Sequence, residues 1–183
     1  MQKRALIFHG TMGSPEGNWF PWLKAELEKQ DYQVTAPIFP TPKNHSLETW
    51  FSALKNQISN LNQIDVVIGH SLGANLILHI LENGLCKTDK AILVSALNEI
   101  INIDEYDQLN KSFIKNFNWD SIKINSKHID ILHGDNDPYV PIKQAQDIAD
   151  GLDIKLQIIK GGGHLNTEAG YNSFPLLLDL INE

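Results

Sequence analysis

Apolar positions along this chain follow two periods that alternate from end to end. Short apolar runs rich in β-branched residues read as strands at 4–9 (RALIFH), 32–39 (YQVTAPIF), 65–68 (DVVI), 90–95 (KAILVS), 128–132 (HIDIL) and 154–159 (IKLQII). Between them, apolar residues recur every three or four positions. The clearest case is 46–61, where Leu47, Trp50, Phe51, Leu54, Ile58 and Leu61 share one face, with Ser46 and Thr49 as an N-terminal signal. Residues 19–29, 72–83, 141–150 and 174–181 read as further helices. Gly84 closes the one at 72–83. Pro141 opens the one at 141–150, and Gly151 closes it. Pro37 places the second strand at a sheet edge.

Strands alternating with helices predict a mostly parallel six-stranded sheet covered on both faces, an α/β/α sandwich with right-handed crossovers. With 183 residues, the whole of 1–183 is one domain with a single sizeable core. Ligands of such sheets bind beyond the carboxyl ends of the strands. The one long connection, 96–127, holds a short helical pattern (Tyr106, Leu109, Phe113) and the piece FNWDSIK. It is too short for a separate cap domain, so an uncapped, open site is expected.

One strand runs directly into Gly-His-Ser-Leu-Gly at 69–73, followed by a helical pattern. Strand, sharp turn and helix are the setting of a nucleophile elbow, which makes Ser71 the candidate nucleophile. A Cβ at Gly69 or Gly73 would collide with the neighbouring strand and helix. A serine hydroxyl needs a positioned base, usually a histidine oriented by a carboxylate. Among seven histidines, only His164 follows the last strand, in KGGGHLN, and it is the candidate base. The candidate acid is Asp137 in GDNDPYVP, after the fifth strand. Asp135 is its rival, with a turn role bonding its own backbone as the alternative; Glu99 is more distant. This Ser, Asp, His order accompanies the elbow. His70 is expected to point away from the nucleophile. The oxyanion donors are expected to be the backbone N–H groups of Leu72 and Thr11, with Met12 as the alternative to Thr11. Met12 and Trp19 are candidate substrate-binding residues, Trp19 as an apolar wall or as core packing. Trp119 reads as packing.

His128, Asp130, His133, Asp135 and Asp137 resemble a metal set on paper, but strand alternation sends them to different faces, so no metal is expected. This chemistry requires no cofactor. A net charge of −7 without any Lys/Arg run argues against nucleic-acid binding. A single cysteine, Cys86, excludes an internal disulfide framework and reads as a small hydrophobe. No apolar run approaches the ~18 residues of a membrane span. MQKRALIFHG reads as a first strand and not as a signal peptide. A reducing cytoplasm is therefore the default location, and a small acyl compound the expected partner.

Together the HG-x-x-G loop followed by NWFPWLK, the GHSLG elbow, FNWDSIK, GDNDPYVP and GGGHLN resemble the small serine hydrolases of the α/β-hydrolase superfamily, of the YdeN and retinoblastoma-binding-protein-nine type. The resemblance spans essentially the whole chain. It implies a minimal α/β-hydrolase fold that starts at the superfamily's third strand, with Ser71 as nucleophile, Asp137 as acid and His164 as base. The pocket-protein motif L-x-C-x-E is absent, since Gly84 stands two residues before Cys86. Pocket-protein binding is therefore not carried over.

Overall fold

The computed structural model describes residues 2–183. One sheet is built from β1 (Lys3–Phe8), β2 (Tyr32–Thr35), β3 (Ile64–His70), β4 (Thr88–Val94), β5 (Ser126–Gly134) and β6 (Leu156–Ile159). Its order is β2-β1-β3-β4-β5-β6, and every pairing is parallel. Seven α-helices connect or follow these strands: α1 (Phe20–Lys29), α2 (Leu47–Gln57), α3 (Leu72–Glu82), α4 (Asp104–Asn110), α5 (Trp119–Ile124), α6 (Ile142–Leu152) and α7 (Pro175–Asn182).

Side-chain alternation divides the core in two. Leu6, Phe8, Val67, Ala91 and Leu93 pack with residues of α2, α3, α5 and α6. Ala5, Ile7, Val66, Ile68, Ile92 and Val94 pack with residues of α1 and α7. Strands buried on both faces need apolar residues at nearly every position, which is why they read as unbroken runs. Each Val, Leu, Ile or Phe among them contributes about 1.5–3 kcal/mol on burial. Every residue of α3 from Leu72 to Leu81 is buried, so its sequence is apolar nearly all round. Ser46 and Thr49 cap α2 reciprocally, each side chain accepting from the other's backbone N–H.

Several boundaries differ from the sequence reading: α2 ends at Gln57 and not at 61, β5 runs Ser126–Gly134, β6 starts at Leu156, and three further differences have a visible physical cause. The edge strand β2 ends at Thr35, not at residue 39. Pro37 has no N–H, and the backbone beyond it bonds to side chains instead: Ile38 to Gln57, and the Phe39 N–H to His9 Nε2 at 3.0 Å. Gly151 does not end α6. It lies within the helix because a Cβ there would fall 2.4 Å from the Trp119 ring, and Asp153 takes the left-handed cap at φ 58°. Phe113 falls beyond α4 and packs edge-on to Trp50.

Because β1 lies between β2 and β3, the chain leaves β1 in one direction and returns in the other. The crevice at that reversal separates the loops that follow β1 and β3. No helix among the described residues is long and apolar enough to cross a membrane.

His9, His45, His70, His79 and His133 are all held below the ordinary histidine pKa of 6.5, in each case chiefly by burial. His45 is pushed down to about 4 and His70 to about 3. These rings are neutral when folded and take up a proton on unfolding below pH 6.5. Their stabilisation is thus complete above that pH and lost as pH falls towards the folded values. Each proton taken up on unfolding adds about 1.4 kcal/mol per pH unit to the slope. Thermal unfolding followed from about pH 7.5 to pH 4 should show a steadily falling midpoint below about 6.5. A flat midpoint across that window would contradict neutral burial.

Candidate active site

Ser71 sits between β3 and α3 at φ 56°, ψ −122°. Non-glycine residues avoid this conformation, at a cost of about 1–3 kcal/mol. Close backbone packing imposes it. A Cβ on Gly73 would lie 2.4 Å from the Phe8 carbonyl oxygen, and one on Gly69 would lie 2.5 Å from Gly73. Ser71 N–H donates to the Val94 carbonyl at 2.8 Å, tying the turn to β4. The Ser71 side chain does not cap α3, so the helix's first N–H groups remain directed at the site.

His164 and Asp137 meet where the loops after β5 and β6 run side by side. Three consecutive side chains of the first loop grip the second. Asp135 Oδ1 accepts from Gly161 N at 2.7 Å, and Asn136 Oδ1 accepts from Gly163 N at 2.7 Å. Asp137 Oδ2 lies 2.7 Å from His164 Nδ1. Gly134 permits the approach, since a Cβ there would sit 2.1 Å from the Gly163 oxygen. Asp137 Oδ1 accepts from the N–H groups of Tyr139 and Val140 at 2.9 and 3.0 Å. Beneath it, His133 Nε2–H donates to the Val140 carbonyl at 2.9 Å. Burial raises the Asp137 pKa, but the His164 bond and charge and the two backbone donors outweigh it. The net shift is downward, so Asp137 is ionised at neutral pH.

Ser71 and His164 line one cavity of about 290 Å³ at the carboxyl ends of the strands. No Ser71–His164 hydrogen bond forms among the described residues; His164 Nδ1 is taken by Asp137, and Nε2 has no hydrogen-bond partner among them. Such bonds often tighten only when a reacting group is bound. The loop after β1 forms a second wall. A Cβ on Gly10 would lie 2.8 Å from Ser71 Cβ, so this backbone runs directly beside the nucleophile. Met12 N–H donates to Thr41 Oγ1 at 2.9 Å, which removes it as an oxyanion donor. Thr11 Oγ1 is held by Asn110 Oδ1 at 2.6 Å, and the Thr11 and Leu72 amides have no protein acceptor among the described residues. Leu97, Ile101 and Tyr106 of the long connection line an apolar side. Asn18, Asn166 and Glu168 line a polar side. A more open groove of about 1100 Å³ crosses the amino ends of the strands, but no histidine lines it.

Several residues lie elsewhere than the sequence reading put them. Trp19 is fully buried and does not line the cavity; its ring packs on Phe20 and its Nε1–H donates to the Leu165 carbonyl at 2.9 Å. Asp135 bonds across to the β6 loop and not to its own turn. Glu99 is exposed and makes no bond to His164, and its N–H is bonded to Gln144. His70 is among the cavity residues, and its ring packs against Trp19, Phe20 and His164 and reaches the His164 carbonyl, a partner the sequence reading did not name. Asn136 and Thr41 went unnoticed. The first had a visible signal, a polar triplet facing a glycine triplet; Thr41 had none.

A strained serine between strand and helix, on a parallel sheet with this strand order, is the architecture of the α/β-hydrolases. The chain belongs to the serine hydrolase family, whose model matches residues 5–183. It is 29% identical over 187 residues to YdeN of Bacillus subtilis (strain 168), covering 99% of this chain and 95% of that one. It is 30% identical over 169 residues to serine hydrolase RBBP9 of Rattus norvegicus, covering 90% of this chain and 89% of that one. The crystal structure of the B. subtilis ydeN gene product superimposes with a TM-score of 0.88 at 28% identity, over 98% of this chain and 97% of that chain. Est1E from Butyrivibrio proteoclasticus shares the fold, with a TM-score of 0.70 at 17% identity, over 98% of this chain and 85% of that chain.

The loop contacts separate the two aspartates. Asp137→Asn should lower hydrolysis by about 10⁴-fold, because the amide no longer fixes the imidazole tautomer. Asp135→Asn should keep activity within about tenfold, since it loosens only one backbone tether. Steady-state rates on one activated ester decide this; equal losses would remove the distinction.

Proposed function

We propose that this protein is a carboxylesterase-like serine hydrolase that cleaves small acyl compounds, esters foremost, through an acyl-enzyme on Ser71. The observation that carries this reading is the 2.7 Å contact between His164 and an ionised, buried Asp137, with His164 and Ser71 facing one cavity. Ser71 Oγ attacks the carbonyl carbon while His164 takes its proton. The tetrahedral oxyanion is held by the N–H groups of Leu72 and Thr11. Collapse breaks the acyl–oxygen bond, and His164 returns the proton to the leaving alkoxide. Water, deprotonated by His164, then attacks the acyl carbon; the acyl–Oγ bond breaks, His164 returns the proton to Ser71 Oγ, and the acid leaves. Asp137 stays ionised, holding the ring and stabilising its charged form.

The two-sided cavity supports an uncharged acyl group against Leu97, Ile101 and Tyr106, with Met12 at the rim. A single buried cysteine, its thiol pushed up to about 11 by burial, suits a reducing cytoplasm.

A fluorophosphonate probe should label Ser71. Ser71→Ala should abolish labelling and reduce p-nitrophenyl acetate hydrolysis by roughly 10⁴–10⁶-fold. A folded protein that takes no label would instead support a binding protein on a hydrolase scaffold. Thioester and aminoacyl amide substrates run alongside decide between esterase, thioesterase and peptidase.

No Lys or Arg lines the cavity, whereas the Glu168 carboxylate does. Esters with an anionic leaving group should therefore react more slowly than neutral isosteres. The exposed position limits the effect to about fivefold. Glu168→Gln should narrow that gap; an unchanged ratio of kcat/KM values would dismiss the charge effect.

A further inference from the structure

The residue before the nucleophile also grips the base. His70 Nε2 lies 2.8 Å from the His164 carbonyl oxygen. A carbonyl only accepts, so Nε2 carries the proton and donates it. Ser95 Oγ, just beyond β4, donates to the same oxygen at 3.1 Å. Trp19 Nε1–H donates to the next carbonyl, that of Leu165, at 2.9 Å. Leu165 itself is in the left-handed region at φ 51° and fully buried. The two carbonyls therefore turn inward, where unpaired acceptors are costly, and side chains from three separate segments satisfy them. The His70 and His164 rings also meet edge to face, with centroids 4.7 Å apart.

We propose that His70 is a positioning residue for His164, setting the separation of base and nucleophile, with Ser95 and Trp19 fixing the rest of the base loop. His70 is joined to Ser71 by a peptide bond and to His164 by one hydrogen bond. Among the described residues, no other makes so short a link between the two. The inference rests on the hydrolase reading above, in which His164 works on Ser71. Burial, with the neighbouring His164 charge adding to it, holds the His70 pKa down at about 3. The ring thus stays neutral when His164 gains a proton, and no second positive charge forms beside it. Asp137 and His133 are the other titratable groups that act on it.

Glutamine carries its Nε2 donor the same number of bonds from Cα as histidine does, whereas phenylalanine keeps the ring and loses the donor. His70→Gln should therefore retain kcat within about threefold. His70→Phe should lower it about a hundredfold with KM nearly unchanged, the cost of a base displaced by about an ångström. In a His164→Ala background, His70→Phe should cost nothing further, because its effect passes through His164. Thermal unfolding checks that each variant folds. Equal losses in the Gln and Phe variants, or the same loss with and without His164, would overturn the proposal. The low-field proton NMR signal of His164 Nδ1–H gives a readout independent of turnover. It should move in His70→Phe and hold in His70→Gln; an unchanged signal in His70→Phe contradicts the clamp. A parent protein inactive on every ester would sink the hydrolase reading, while this signal would still test the clamp.

Discussion

The backbone strain at Ser71 is the constraint on which the site depends. The chain must turn from β3 into α3 within one residue, and the crowding of Gly69, Gly73 and the Phe8 carbonyl leaves only the φ 56° conformation. The unfavourable ~1–3 kcal/mol is offset by α3, whose residues from Leu72 to Leu81 are all buried. Relaxing the turn would pull that helix out of register with the sheet. The strained turn also bears on three parts of the site. It places Ser71 at the cavity, leaves the Leu72 N–H at the start of α3 without a protein acceptor among the described residues, and is preceded in the chain by His70, whose side chain bonds the His164 carbonyl.

His164 and Asp137 are placed by hydrogen bonds that reach from one loop to the next. Asp135, Asn136 and Asp137 hold Gly161, Gly163 and His164 in turn. Glycines have little of their own to fix them, so the tethers supply the rigidity that the chemistry needs. From the other side, His70, Ser95 and Trp19 take the carbonyls of His164 and Leu165. His164 is thus fixed at its ring by one loop and at its carbonyl by His70 and Ser95, with Trp19 holding the carbonyl of the next residue.

The fold was legible in the chain because both faces of the strands are buried, which makes apolar runs out of β1, β3, β4 and β5. Ser71, Asp137 and His164 were legible because each follows a strand end with turn residues around it. Features that depend on contacts between distant segments were not legible. Gly151 resembles a helix stop, yet it is the seat of the Trp119 ring. Trp19 reads equally as a pocket wall or as core packing, and it is core, its indole N–H serving a carbonyl 146 residues away in the chain. The difference between the Thr11 and Met12 amides comes from Thr41, which accepts from the Met12 N–H. His70 was read by its neighbour Ser71, although its partner is 94 residues along the chain.

The central claim is that Ser71 carries the acyl group in a covalent intermediate. Rapid acid quench during turnover of an activated ester, followed by peptide mapping with mass spectrometry, tests it directly. The account predicts the acyl mass on the peptide containing Ser71, appearing within the first turnover and decaying as substrate is exhausted. Turnover with no acylated peptide, or with the acyl group on another residue, would contradict it.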